Sequence, residues 1–292
     1  MIATSARQSG QLFVIATPIG NLSDISRRAI TTLESVDVIL AEDTRHSRQL
    51  LNTLGIQTPL QSLHAHNEAQ KTELILKELE AGRSYALISD AGTPLISDPG
   101  FILIREARRW GIVIVPIPGP SALITALSVA GVPCDKFFFE GFLPAKKMAR
   151  CQSLEAIKQY PFTVVVYEST HRLLDTLEDI ANVWGADYAL VVAKELTKRF
   201  EQILHAPVAE IKAWFLAETS RANGEFVIIF PAVEVDKNLS AGEGTPEDKK
   251  LLGVLLTELP LKQAVKIAAQ LSSTSKNALY VMALQLQEQM DT

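Results

Sequence analysis

Cysteine is scarce in this chain, with only Cys134 and Cys151 among 292 residues. Two cysteines cannot build a disulfide framework, and neither sits in the paired spacing that binds zinc. Long apolar runs are missing too. None approaches the roughly 20 residues needed to cross a bilayer, and residues 1–11 are polar, without the apolar stretch of a secretion signal. The expectation is a cytoplasmic protein with no membrane partner. Positive charge is not in excess: 28 Lys plus Arg stand against 33 Asp plus Glu, a formal net charge of −5. That balance excludes a protein that coats nucleic acid by bulk charge, though not one with local basic patches. The dinucleotide fingerprint and the Gly-Lys-Ser phosphate loop are also absent, so nucleotide phosphate is not an expected ligand.

What the chain does hold is enough apolar material, 47% of residues, for real cores, at a length that suits about two domains. Over residues 12–130 short β-branched runs alternate with amphipathic stretches, the pattern of a parallel βαβ sheet. Strands are expected at 12–17, 38–41, 60–65, 85–89 and 113–116, with helices near 24–35, 44–54, 68–80 and 98–110. Gly55, Gly82 and Gly111 fall where helix ends favour a left-handed residue.

Three strand ends run into Gly/Pro loops: Pro18-Ile-Gly-Asn21, Asp90-Ala-Gly-Thr-Pro-Leu95 and Pro118-Gly-Pro-Ser-Ala122. Glycine admits a ligand to the backbone, proline stiffens the loop, and aspartate and threonine offer acceptors. Ligands of open parallel sheets sit at the carboxyl ends of the strands, where these loops fall. Their low charge suits a compact cationic or zwitterionic ligand. Asp98-Pro99 has the form of an N-cap with proline at the first helical position.

After residues 137–140 the character shifts to a basic loop, 143–150, and a second α/β unit follows. Its strands are expected at 162–167, 188–193, 202–206 and 226–230, and its helices at 172–183 and 207–217. Residues 234–247 have the composition of a linker. Beyond it lie three helical stretches, 251–259, 261–271 and 275–286, carrying Lys262, Lys266 and Lys276 with no acidic residue between them. A solvated helix face and a phosphate-binding face both fit that pattern.

These motifs together resemble the tetrapyrrole (corrin/porphyrin) methylase superfamily, in the branch that acts on ribosomal RNA. The resemblance rests on Thr17-Pro-Ile-Gly-Asn-Leu-Ser-Asp24, Ala41-Glu-Asp-Thr-Arg45, Ser89-Asp-Ala-Gly-Thr-Pro-Leu-Ile-Ser-Asp-Pro-Gly100 and Pro118-Gly-Pro-Ser-Ala122. In the second half Glu140-Gly-Phe-Leu-Pro144, Tyr167-Glu-Ser-Thr-His-Arg172, Lys194-Glu-Leu-Thr-Lys198 and Gly224-Glu-Phe-Val-Ile228 carry it. Lys194 departs from the arginine expected at that place.

The resemblance implies two α/β domains, 11–120 and 121–235, with the methyl donor S-adenosylmethionine in the cleft between them, and a linker with a small helical tail at 236–292. Pro18, Asp90, Gly92, Thr93, Leu95, Ser121, Ala122 and Tyr167 would then line the donor site. The implied reaction is 2′-O-methylation of a cytidine ribose in 16S ribosomal RNA, on naked RNA or the small ribosomal subunit, by a homodimer. In-line transfer needs positioning and removal of the hydroxyl proton. The candidate catalytic groups are Glu42, Asp43 and Arg45 after one strand, and Glu168, His171 and Arg172 after another. A carboxylate would take the proton and arginine hold a phosphate, while a structural ion pair is the competing role for Glu42 and Arg45. His64 and His66 lack a third ligand pattern and are not assigned a metal. Rival functions are methylation of a small tetrapyrrole and noncatalytic ribosome binding.

Overall fold

The computed structural model describes residues 10–232, 245–272 and 274–290. Five strands, β1 (Gln11–Ile15), β2 (Val38–Ala41), β3 (Leu60–Ser62), β4 (Tyr85–Leu87) and β5 (Val113–Ile117), form one sheet in the order β3-β2-β4-β1-β5. Every pairing in it is parallel, as the alternating sequence predicts. The strands are covered on both faces. Ile15, Ile39, Ala86 and Ile117 pack with α1 (Arg27–Ser35) and α2 (Thr44–Thr53). Leu12, Leu40, Tyr85 and Leu87 meet α3 (Glu68–Glu80) and α4 (Phe101–Arg109) on the other face.

Strand order places the crevice. The chain leaves β1 toward β2 on one side, and leaves β4 toward β5 on the other. Adjacent strands whose connections diverge in this way open a gap at their carboxyl ends.

Helix α5 (Ala122–Val129) leads to the second sheet, β6 (Phe137–Phe142), β7 (Thr163–Ser169), β8 (Ala189–Lys194), β9 (Gln202–Pro207) and β10 (Glu225–Phe230), ordered β6-β7-β10-β8-β9. Only β6 and β7 run parallel; the other pairings are antiparallel. One face packs Val164, Val166 and Ile228 on α6 (Lys147–Ile157), α7 (Leu173–Trp184) and α8 (Val208–Leu216). Successive residues point to opposite faces. The alternate set, Val165, Val191, Val227 and Ile229, therefore meets α5 and Ile19, which comes from the loop after β1. That apolar seam joins the two sheets, and residues up to Ala232 form one compact unit.

Three expectations need correction. The second unit has a strand outside the expected set, edge strand β6 at Phe137–Phe142, and the basic loop expected at 143–150 gives way to α6 from Lys147. The strand at 60–65 stops at Ser62, where Asn67 and Lys71 side chains bond its carbonyl and hydroxyl. The helix expected from Asp98 begins at Phe101, with Gly100 in the capping position at φ 125° and no side-chain cap of its own. Its first turn is bonded instead by Glu68, whose buried carboxylate accepts the Leu103 N–H at 2.9 Å. A charged acceptor at a helix N-terminus satisfies orphan N–H groups and the helix dipole together.

The C-terminal helices α9 (Pro246–Glu258), α10 (Leu261–Leu271) and α11 (Lys276–Met290) make a separate unit around Leu252, Val265, Ala268, Leu279 and Ala283. Thr245 and Asp248 form a capping box that starts α9, and Thr274 donates to Asp248 at 2.6 Å, tying the α10–α11 turn to it. Of the expected linker, residues 234–244 lie outside the described residues, while Pro246 and Glu247 already belong to α9. No helix among the described residues is long and apolar enough to cross a membrane.

Candidate active site

The loops after β1 and β4 meet over the crevice. Thr17 and Gly92 exchange backbone hydrogen bonds of 2.8 and 3.1 Å, which Gly92 reaches at φ 81°, a conformation open to glycine. The Thr17 hydroxyl donates to the Ser89 carbonyl at 3.2 Å. The Thr93 hydroxyl donates to the Pro120 carbonyl at 3.1 Å, attaching the loop after β5. Asp90 accepts the Asp43 N–H at 3.1 Å and attaches the start of α2.

Among the described residues, the non-glycine residues with left-handed backbone are Leu95 (φ 73°), Ser97 (70°), Glu195 (50°) and Thr197 (67°). They fall in two loops, one after β4 of the first sheet and one after β8 of the second. Such conformations cost on the order of 1–3 kcal/mol each and concentrate at binding sites. Both loops reach the same place: Ser97 and Leu196 line a cavity of about 500 Å³ between the sheets, a size that suits a small-molecule ligand.

The lining is strongly acidic. Glu42, Asp90, Asp98, Glu168 and Glu225 contribute carboxylates, and among the lining residues only His171 can carry positive charge. Burial pushes the Asp98 carboxyl up to about 6, with a hydrogen bond from Ser89 pulling the other way and the charges of Glu42 and Asp90 adding to the rise. Burial and the neighbouring Asp90 also raise Glu42 above the usual carboxylate range. Tyr167 is raised mainly by burial, and its hydroxyl accepts the Leu123 N–H at 3.1 Å. That bond holds the first turn of α5, a task the adjacent Ser121 side chain leaves undone.

Of the residues expected at a donor site, the structure brings Asp90, Gly92, Thr93, Ser121, Ala122 and Tyr167 to the cavity wall. Pro18 and Leu95 are not among the lining residues; Leu95 turns into the apolar cluster of Leu87 and Leu103. Of the expected catalytic groups, Glu42, Glu168 and His171 line the cavity. The Glu168 carboxylate is fully buried and already occupied, accepting from the Ser169 N–H at 2.8 Å and the Thr176 hydroxyl at 2.7 Å. Asp43 caps α2 by accepting the Arg45 N–H at 2.8 Å, a bond that lowers its pKa, and the Arg45 side chain is 92% exposed. The Arg172 guanidinium donates to the Leu143 carbonyl, and its Nε lies 3.3 Å from Glu168 without hydrogen-bond alignment.

Several cavity residues escape sequence reasoning. Asp98 reads as a helix cap because Ser-Asp-Pro is a capping pattern, and the acceptor that displaces it, Glu68, lies 35 residues before Leu103. Phe142 falls in a segment whose strand character is hidden by the glycine beside it. Glu225 and Phe226 come from β10, remote in sequence, although the Gly224-Glu-Phe-Val motif could have marked them.

Residues 11–212 match the family model described as Tetrapyrrole (Corrin/Porphyrin) Methylases, and residues 242–287 match the RsmI C-terminal HTH domain. The ribosomal RNA small subunit methyltransferase I of Escherichia coli O157:H7 is 51% identical over 95% of this chain and 96% of its own. The chain belongs to the ribosomal RNA small subunit methyltransferase I family. Family membership makes it an RNA methyltransferase and accounts for the two α/β sheets. The fold is shared more widely. Cobalt precorrin-4 methyltransferase, a cobalamin biosynthetic enzyme, superposes with TM-score 0.56 at 16% identity, covering 75% of this chain and 94% of its own. Uroporphyrin-III C-methyl transferase from Thermus thermophilus, complexed with S-adenyl homocysteine, gives 0.51 at 16% identity, covering 77% of this chain and all of its own. Members of the ribosomal RNA small subunit methyltransferase I family thus share an architecture with enzymes named for small tetrapyrrole substrates.

Proposed function

We propose that this chain transfers the methyl group of S-adenosylmethionine to the 2′-hydroxyl of a cytidine ribose in 16S ribosomal RNA, within the cytoplasm and as a homodimer. The observation that carries the donor assignment is the acidic cavity closed by the two left-handed loops. A sulfonium-bearing zwitterion is attracted by Glu42, Asp90 and Asp98, whereas a phosphate is repelled. Asp90, Gly92, Thr93, Ser121, Ala122 and Tyr167 hold the donor in this reading, with Ile19 and Leu196 as apolar walls. When bound, the donor supplies an electrophilic methyl group, and the protein's work is alignment and proton removal. Asp98 takes the proton of the attacking hydroxyl, because an affinity near 6 suits an acceptor working near neutral pH, and Glu42, raised by burial and by Asp90, stands in the same cavity beside it. His171, exposed at the rim, orients the nucleotide, and Arg172 fixes the Leu143–Pro144 turn beside it. Glu168 acts by holding Arg172 and Thr176. Asp43 and Arg45 set the start of α2 and the approach to it. The homodimer, the cytidine and the cytoplasm rest on family membership.

Asp90→Ala tests the donor site. Loss of a charged acceptor, worth about 1.5–3 kcal/mol, should weaken S-adenosylmethionine binding by about ten- to a hundredfold, while circular dichroism shows an intact fold. Titration calorimetry giving unchanged affinity in the folded variant would place the donor elsewhere. Labelled donor incubated with small ribosomal subunits reads the acceptor, and ribose analysis of the product reads the position.

A further inference from the structure

A cavity lined by Glu42, Asp90, Asp98 and Glu225 admits a ribose but repels the phosphates on either side of it. The RNA backbone needs a cationic ledge outside the cavity, and an exposed base needs a surface to rest on. The junction of β6 and α6 supplies both. The β6–β7 register slips between Phe139 and Gly141, and such a bulge re-aims the residue after it. Gly141 sits at φ 77°, where a Cβ would lie 3.4 Å from the Ser97 hydroxyl, so the strand runs in van der Waals range of the loop after β4. Phe142 follows. Its ring meets Tyr167 edge to face at 5.7 Å, and Tyr167 is pinned by its bond to α5. Phe142 lines the cavity and is nevertheless 52% exposed. An aromatic side chain packed by its edge at a cavity lip and left open to solvent is suited to stack on a base.

The chain then turns past Leu143 and Pro144, whose carbonyls both accept from Arg172, the latter at 3.4 Å. Arg172 adjoins cavity-lining His171, which fixes this turn at the rim. Lys146 and Lys147 start α6 there, both exposed. Lys146 has no ion pair among the described residues. Lys147 Nζ lies 3.6 Å from Asp179, a carboxylate already bound by Arg150 at 2.7 Å.

We propose that residues 142–147 are the docking ledge for single-stranded RNA beside the target nucleotide, with Phe142 stacking on a base and Lys146 and Lys147 taking phosphates. The inference rests on the donor-and-ribose reading of the cavity. Sequence-specific RNA recognition favours unpaired segments whose bases can be stacked on aromatic side chains, and a ribose in an unpaired segment is the one that can enter a recessed site.

The test uses the full chain with a 16S ribosomal RNA fragment, comparing Phe142→Ala, Phe142→Trp and the double variant Lys146→Gln/Lys147→Gln. Phe142→Ala should weaken RNA binding about tenfold while S-adenosylmethionine affinity moves by less than about threefold, and Phe142→Trp should restore it. The double lysine variant should flatten the plot of log affinity against log salt by about 0.7 for each phosphate that is no longer neutralised. RNA affinity and salt slope unchanged in all three would overturn the ledge. Donor affinity falling as far as RNA affinity in Phe142→Ala would do the same, making Phe142 part of the donor wall. Wild-type protein that binds RNA through these residues but transfers no methyl group would instead defeat the functional reading and leave the ledge standing.

Discussion

Asp98 sits where three carboxylates converge, on a loop that already contains two left-handed residues. The folded state holds its proton to about pH 6, against 3.8 ordinarily, so the native protein binds more protons than the unfolded chain between those values. Stability should therefore fall as pH rises from about 4 to 6, and the full penalty remains above 6. Asp98→Asn removes the ionisation. Thermal melts should show a higher Tm than wild type at pH 7, and a flatter dependence between pH 4 and 6. Methyl transfer should fall by about 10²- to 10⁴-fold if the carboxylate accepts the ribose proton, and the acid limb of the wild-type pH–rate profile near 6 should be altered. A variant less stable at pH 7 would show that Asp98 anchors its loop through Ser89 rather than straining it.

At the scale of elements, α4 forms the far support of the Asp90–Gly100 loop, and its start is held from another helix. Glu68→Ala leaves the Leu103 N–H buried without an acceptor. The cost should be about 1–3 kcal/mol in denaturant melts, and the loop should lose its fixed geometry, so donor affinity should drop although Glu68 does not line the cavity. Melts and donor affinity both matching wild type would mean that α4 finds another cap. The helix and the strand on either side of this loop are legible in the sequence, from apolar spacing and from Gly111, whose φ of 69° is the left-handed turn a helix end favours. The capping residue is not legible, because Ser-Asp-Pro offers a local cap and Glu68 becomes available only when α3 packs on α4.

For the whole molecule, the C-terminal helices form a unit with its own core, capping box and Asp248–Thr274 bond. Lys262 and Lys266 are exposed one turn apart on α10, and Lys276 is exposed at the start of α11. A chain truncated near Ala232 should keep S-adenosylmethionine affinity, since the cavity is built from residues before that point. Its RNA affinity should fall, with a salt slope shallower by about 0.7 for each phosphate those lysines would have neutralised. Equal affinity across salt would leave those lysines as a solvated face.

Local sequence determined the parallel βαβ half, the glycine-terminated helices, the three Gly/Pro loops and the motif set that marks the family, because periodicity and turn chemistry act over a few residues. Only tertiary structure decided which side chains share the cavity. Glu168, Arg172 and Asp43 look catalytic in sequence but are engaged by Thr176, Leu143 and the α2 backbone. Asp98, Phe142 and Glu225, from three distant segments, meet at one cleft because the second sheet closes over the first through the seam of α5 and Ile19. Burial and charge at that meeting point set the Asp98 proton affinity, and both are properties of neighbours in space that residue type alone does not carry.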